Sequence, residues 1–261
     1  MNMNSALLVV SFGTSYEETR KKTIEAIEQD LIHAFPERKF YRAWTSKMIR
    51  KKLREKQGIC YDGIEEAMER MLQDGITDIL VQPTHMMPGV EFEEIKKVIA
   101  SYRNRFEVLR MGMPLMAVEG DITALAKVLA ELFHDTDSSE MVALMGHGSP
   151  CTPFPAYELL NEQLEKDGHP NFCIGTVEFD PGFEAVLGRV RKRRPERIYL
   201  TPLLVVAGDH ALNDMAGDDP DSWKSRLEHE GAEVVCIVRG MGEYPRIRDI
   251  YVDHAKNAKS V

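Results

Sequence analysis

Short apolar runs alternate with longer amphipathic stretches along this chain, and the alternation occurs twice. In the first half the strand-like runs are residues 6–10, 39–45, 78–82 and 106–111. Helical spacing fits residues 16–34, 47–56, 63–73 and 91–103 between them. In the second half the strand-like runs are 141–145, 171–177, 197–202 and 233–238, with helical spacing at 155–166, 182–192 and 222–229. A helix between successive strands returns the chain to the same end of the sheet, so the strands run parallel. The pattern therefore predicts an α/β fold, with mostly parallel sheets flanked by helices.

The two halves also share landmarks. Ser11-Phe12-Gly13-Thr14 reads like Gly146-His147-Gly148-Ser149. Pro83, Gly89 and Glu91 are spaced like Pro202, Gly208 and His210, and Gly112-Met113 reads like Gly240-Met241. Three landmarks in the same order predict a duplicated α/β unit. Two similar domains are expected: residues 1–117, joined by a C-terminal helix within 245–261, and residues 118–244. Residues 118–133 would be a helical connection, the last helix would span about 246–259, and strand-end loops would line a cleft between the domains.

Bulk properties narrow the function. A net charge of −9 over 261 residues argues against general attraction to nucleic acid or an anionic membrane. Composition is that of an ordinary globular protein, with 43% hydrophobic and 29% charged residues. The start of the chain lacks the basic region of a secretory signal, and no apolar stretch reaches membrane-span length. Cys60, Cys151, Cys173 and Cys236 are scattered without a CxxC pair, as expected for reduced thiols in the cytoplasm. The basic run Arg189 to Arg194 reads as the solvated end of a helix, where cations suit the dipole. A homo-oligomer is compatible with all of this.

The chemistry concentrates at strand ends. His147, between Gly146 and Gly148, follows one buried run, and His210, after Gly208-Asp209, follows another. Parallel sheets build binding sites at the carboxyl ends of their strands. Glu178 ends a third run and completes a set of two histidines and one carboxylate, which suits cobalt, nickel, iron or zinc. Blander roles exist for each: a ring nitrogen capping a turn at His147, a bystander beside a helix cap at His210, an exposed strand-end acid at Glu178. In the first half, His85 and Glu91 follow the run at 78–82; Glu91 can also serve simply as a first-turn acid. There is no nucleophile elbow, P-loop, dinucleotide fingerprint or zinc-protease motif.

At these residues the chain resembles the anaerobic sirohydrochlorin cobaltochelatase family, the CbiK-like class II chelatases. The resemblance rests on residues 6–15, on Met145-Gly146-His147-Gly148, and on residues 204–215, and it extends through Asp218-Asp219-Pro220-Asp221-Ser222-Trp223-Lys224. It implies two similar α/β domains and insertion of Co²⁺ into sirohydrochlorin, with release of two protons, in cobalamin biosynthesis. By resemblance His147, Glu178 and His210 hold the metal, His147, His210 and His85 are catalytic, and Glu91 lies in the matching loop. Met86-Met87-Pro88 departs from the aliphatic and polar residues expected after His85. Co²⁺ would be a substrate, with Ni²⁺ or Fe²⁺ as alternatives, and no organic cofactor is expected. The substrate's rim carboxylates would meet backbone N–H groups at Gly13, Thr14, Gly148 and Ser149, read as lying ahead of helices. A non-catalytic carrier of metal or metallotetrapyrrole uses the same ligands, and a metal-dependent hydrolase would need a further acid or base that the chain does not supply.

Overall fold

The computed structural model describes residues 4–150 and 154–261; Cys151 lies outside them. The chain divides into two compact units, one of Met1–Leu115 with Gly242–Val261 and one of Met116–Met241. Each is an α/β layer structure with its own apolar core.

Unit 1 holds β1 (Ser5–Ser11), β2 (Lys39–Trp44), β3 (Asp78–Pro83) and β4 (Val108–Met111). They pair in parallel in the order β2-β1-β3-β4. Unit 2 holds β5 (Glu140–Gly146), β6 (Phe172–Thr176), β7 (Arg197–Pro202) and β8 (Glu233–Cys236), parallel in the order β6-β5-β7-β8. The two orders are the same. Strands β1 and β5 are central and buried along their whole length, which explains their unbroken apolar runs.

The helices follow the same logic. In α4 (Ile64–Gln73) the apolar residues Ile64, Ala67, Met68 and Met71 recur at helical spacing and all are buried. Helices α3 (Lys47–Gln57) and α5 (Val90–Ser101) complete the crossovers of unit 1. Unit 2 uses α6 (Glu119–Leu132), α7 (Ala156–Lys166), α8 (Phe183–Arg193) and α9 (Trp223–His229).

Strand register places the duplication on a residue-by-residue footing. Val10 sits opposite Pro83 in unit 1, and Met145 sits opposite Pro202 in unit 2. Beyond the strands the backbone bonds continue to match. Ser46 N–H donates to the Phe12 carbonyl at 3.2 Å, as Glu178 N–H donates to the His147 carbonyl at 2.9 Å. Glu93 N–H donates to Gly89, as Leu212 N–H donates to Gly208. The third landmark does not align. Gly112 N–H pairs with Val81, but the bond in its place in unit 2 is Ile237 N–H to Leu200, so Gly240 lies three residues too late. The next matched bond is Leu115 N–H to His85 in unit 1 and Met241 N–H to Leu204 in unit 2, and the unit 2 loop reaches it with one residue more.

Two other expectations need correction. The helix expected at 16–34 is two helices, α1 (Glu17–Lys22) and α2 (Ile24–Ala34), broken at Thr23. Thr23 Oγ1 donates to the Thr19 carbonyl at 2.6 Å, and Gly242 packs so close that a Cβ there would lie 2.9 Å from Thr23 Cβ. The last helix, α10 (Pro245–Lys256), stops short of 259; Lys259–Ser260 instead forms β9, antiparallel to β4. Among the described residues no helix is long and apolar enough to cross a membrane.

A buried ion pair ties α2 to β2. Glu28 is 1% exposed, and its two carboxylate oxygens accept from Nε and Nη2 of Arg42. Burial pushes the Glu28 carboxyl above the usual range, and Arg42 opposes that rise. Replacing Arg42 with Met leaves the carboxylate uncompensated and is expected to cost about 3–5 kcal/mol near neutral pH. A carboxyl whose folded value is raised contributes stability at low pH and loses it as pH rises through that value. The Arg42→Met deficit should therefore widen from pH 5 to pH 8 in urea titrations. A deficit that is flat or narrows over that range contradicts this account.

Candidate metal centre

Three adjacent strands of unit 2 deliver the expected donors. Glu178 follows β6, His147 follows β5 and His210 follows β7, and these strands lie side by side. Their ligand atoms all lie within 4.8 Å of one another, and among the described residues this is the one such group of three or more. The His147 and His210 rings are 5.1 Å apart between centroids and tilted by 80°. Chain direction reverses its neighbours around β5 here, which is where parallel sheets open a crevice.

Each donor has a local reason for its place. At Gly146 a Cβ would lie 2.5 Å from the Tyr157 ring, so only glycine lets α7 pack against the end of β5. The Tyr157 hydroxyl is buried, which pushes its pKa up, and backbone N–H groups of Gly148 and His147 donate to it and oppose that shift. Gly148 takes φ +92°, and a Cβ there would sit 1.9 Å from the Glu178 carbonyl oxygen. The loops carrying His147 and Glu178 thus touch backbone to backbone. Thr176 Oγ1 lies 2.8 Å from the Glu178 carbonyl and 2.7 Å from the Phe179 carbonyl, which folds the chain back after β6.

The ring nitrogens have a defined division of labour. His147 Nδ1 lies 3.2 Å from the Gly148 carbonyl, and His210 Nδ1 lies 2.5 Å from Asp214 Oδ2. A carbonyl or carboxylate oxygen only accepts, so each Nδ1 carries the proton. In the neutral rings Nε2 is left with its lone pair on both histidines, the form that binds a divalent metal. Ligand–metal bonds near 2.0–2.2 Å need donors about 3–3.5 Å apart, so small side-chain rotations would close the set on an ion. All three side chains are reachable from solvent: His147 and Glu178 are exposed and His210 is partly so.

Unit 1 offers no copy of this set. The matched positions are Phe12, Ser46 and Glu91; Phe12 is 45% exposed, and the Ser46 hydroxyl accepts from Ile49 N–H as the cap of α3. His85 and Glu91 do come together there, with Nε2 and Oε2 3.4 Å apart and the His85 side chain only 9% exposed. Gly13 and Thr14 follow β1, and Gly148 and Ser149 follow β5, as expected. They do not form helix N-termini, however: α1 begins at Glu17 and α7 at Ala156, so these groups precede the first turns by several residues. Sequence reasoning missed Asp214, Tyr157 and Thr176. Asp214 had a legible signal, a carboxylate four residues after a histidine; the other two had none.

Comparison with known proteins adds the following. The family model described as cobalt chelatase (CbiK) matches residues 5–260. A sirohydrochlorin cobaltochelatase of Salmonella typhimurium is 38% identical over 256 residues, covering 98% of this chain and 97% of that protein. The sirohydrochlorin cobaltochelatase CbiKC of Nitratidesulfovibrio vulgaris is 32% identical over 260 residues, covering 97% of this chain and 90% of that protein. Among solved structures, SirB from Bacillus subtilis with Fe³⁺ superposes with a TM-score of 0.64 at 13% identity, covering 98% of this chain and 95% of that one. CbiX, described as the terminal enzyme for biosynthesis of siroheme in denitrifying bacteria, superposes with a TM-score of 0.56 at 17% identity, covering 98% of this chain and all of that one. These two share the fold.

Proposed function

The chain belongs to the cobalt chelatase (CbiK) family, and from that membership we propose that it inserts Co²⁺ into sirohydrochlorin with release of two protons. The observation that carries the reading is the convergence of His147, Glu178 and His210 from three neighbouring strands. Co²⁺ is a substrate here, and the donors suit a substrate metal. Two neutral imidazoles and one carboxylate bind a borderline divalent ion, but without the closed thiolate cage that would retain it.

In the proposed reaction Co²⁺ first sits on His147 Nε2, His210 Nε2 and a Glu178 oxygen. The four ring nitrogens of the macrocycle then replace these donors one by one. Two of those nitrogens carry protons, which leave as the metal bonds form. The imidazoles, released from the metal, have Nε2 lone pairs that can take them. His85 and Glu91 are proposed to contact the tetrapyrrole, and backbone N–H groups at Gly13, Thr14 and Ser149 to meet its carboxylates, the Gly148 N–H being taken by the Tyr157 hydroxyl. The reaction is at home in the cytoplasm, where reduced cysteines persist; Cys60, Cys173 and Cys236 are all free.

An insertion assay tests the reading. Initial rates are measured with sirohydrochlorin and Co²⁺, Ni²⁺ or Fe²⁺ in turn, against the rates without protein. The expected result is acceleration with many turnovers, greatest for Co²⁺. Stoichiometric binding of the metallated product without acceleration would make the protein a carrier. A higher rate with Fe²⁺ or Ni²⁺ would reassign the metal.

A further inference from the structure

The segment after β7 departs from its counterpart after β3 in one respect. Beyond Gly89, α5 is a regular helix, and its Ile95 is 1% exposed in the core of unit 1. Beyond Gly208 the chain widens into a five-residue π turn, Ala211–Met215, with Ala216 N–H donating to the Ala211 carbonyl at 3.2 Å. Counted from the two matched glycines, Asp214 stands in the place of Ile95. Its carboxylate does not enter a core. It is 47% exposed, and Oδ2 lies 2.5 Å from His210 Nδ1. Asp209, the carboxylate next to His210 in sequence, accepts instead from Asn213 Nδ2 at 3.2 Å. Two changes therefore coincide where unit 2 acquires a histidine in place of Glu91: the helix widens, so that Met215 is the residue that enters the core, and the carboxylate before it rests on that histidine. Single π turns inside helical segments concentrate at functional sites.

We infer that Asp214 is a positioning residue for His210. By accepting the Nδ1 proton it fixes the ring's orientation and leaves Nε2 as the nitrogen turned to the donor set. Its negative charge also strengthens that nitrogen as a donor. His147 has only the neutral Gly148 carbonyl on its Nδ1, at 3.2 Å. The two imidazoles are therefore unequal, and His210 is the stronger anchor for the incoming ion. The inference rests on the reading of His147, Glu178 and His210 as the metal donors.

The test uses the full-length metal-free protein and Co²⁺ alone. Binding is followed through the visible absorption band of the bound ion, for the wild type, His210→Ala, Asp214→Ala and Asp214→Asn. Asp214→Ala is expected to weaken Co²⁺ binding by about 10–100-fold, the usual effect of losing a group that orients a metal-bound histidine. It should also shift the band. Asp214→Asn keeps an oxygen for the Nδ1 proton but lacks the charge, and should fall between wild type and Asp214→Ala. In the insertion assay both variants should raise KM for Co²⁺ and leave KM for sirohydrochlorin in place. Far-UV circular dichroism checks that each variant is folded. Wild-type affinity and band shape in both Asp214 variants, alongside weakened binding in His210→Ala, would overturn the inference alone. Unchanged Co²⁺ binding in His210→Ala would overturn the donor reading, and the inference with it.

Discussion

Replacing either His147 or His210 with alanine is expected to abolish nearly all Co²⁺ insertion while leaving the fold intact. Each substitution removes one of the three candidate donors that lie within 4.8 Å of one another among the described residues. The loss in Co²⁺ affinity should exceed the roughly 10–100-fold that follows removal of an orienting neighbour, because a bond to the metal itself goes. Neither side chain is part of a core: His147 is exposed and His210 is 37% exposed. Stability should therefore change by no more than about 0.5 kcal/mol. The double variant should be little worse than the singles, since two remaining donors already fail to seat the ion. Steady-state insertion rates, with melting curves alongside, decide the matter. Wild-type rates in both single variants would remove the histidines from the reaction.

Gly148→Ala should produce the second large effect, and by a different route. The position has φ +92°, where an alanine costs about 1–2 kcal/mol. The added Cβ would also lie 1.9 Å from the Glu178 carbonyl oxygen, which cannot move without carrying Glu178 with it. The substitution thus pushes two loops apart and separates the His147 and Glu178 donors. Gly168 supplies the control, with φ +89° and nothing within 4 Å of an added Cβ. Both variants should lose about 2–4 °C in melting temperature for each kcal/mol of backbone strain in a chain of this size. Gly148→Ala alone should lose Co²⁺ binding. Equal Co²⁺ binding by the two variants would show that contact with Glu178 does not hold the donors in place.

Much of this architecture is legible in the chain. Strands β1 and β5 are buried on both faces, so their interior residues 6–10 and 141–145 are apolar without a break, and such runs stand out. The glycines flanking His147 are equally visible, and the structure gives each a separate reason: the Tyr157 ring at Gly146 and the Glu178 carbonyl at Gly148. The landmarks at Gly13 and Gly89 matched their partners because ladder bonds and first helical bonds hold the spacing in both units. Gly112 and Gly240 resembled each other without being equivalent, since the loop beyond β8 takes one residue more than the loop beyond β4 to reach its next matched bond, Met241 N–H to Leu204 against Leu115 N–H to His85. At the break after Thr23 one partner, the Thr19 carbonyl, is local, but the other, Gly242, comes from the far end of the chain and was invisible.

The amino-acid sequence alone determined the fold class, the duplication and the candidate donors His147, Glu178 and His210. Local rules suffice there: burial dictates apolar runs, and each donor stands directly at or just past the end of such a run. What only the tertiary structure decided is how those side chains come together. The order β6-β5-β7 places three strand ends side by side although they lie far apart along the chain. The π turn brings Asp214 onto His210, and the contact of Gly148 with Glu178 locks two loops together. Each of these depends on distances between segments that meet only after folding, and residue spacing along a chain does not encode such distances.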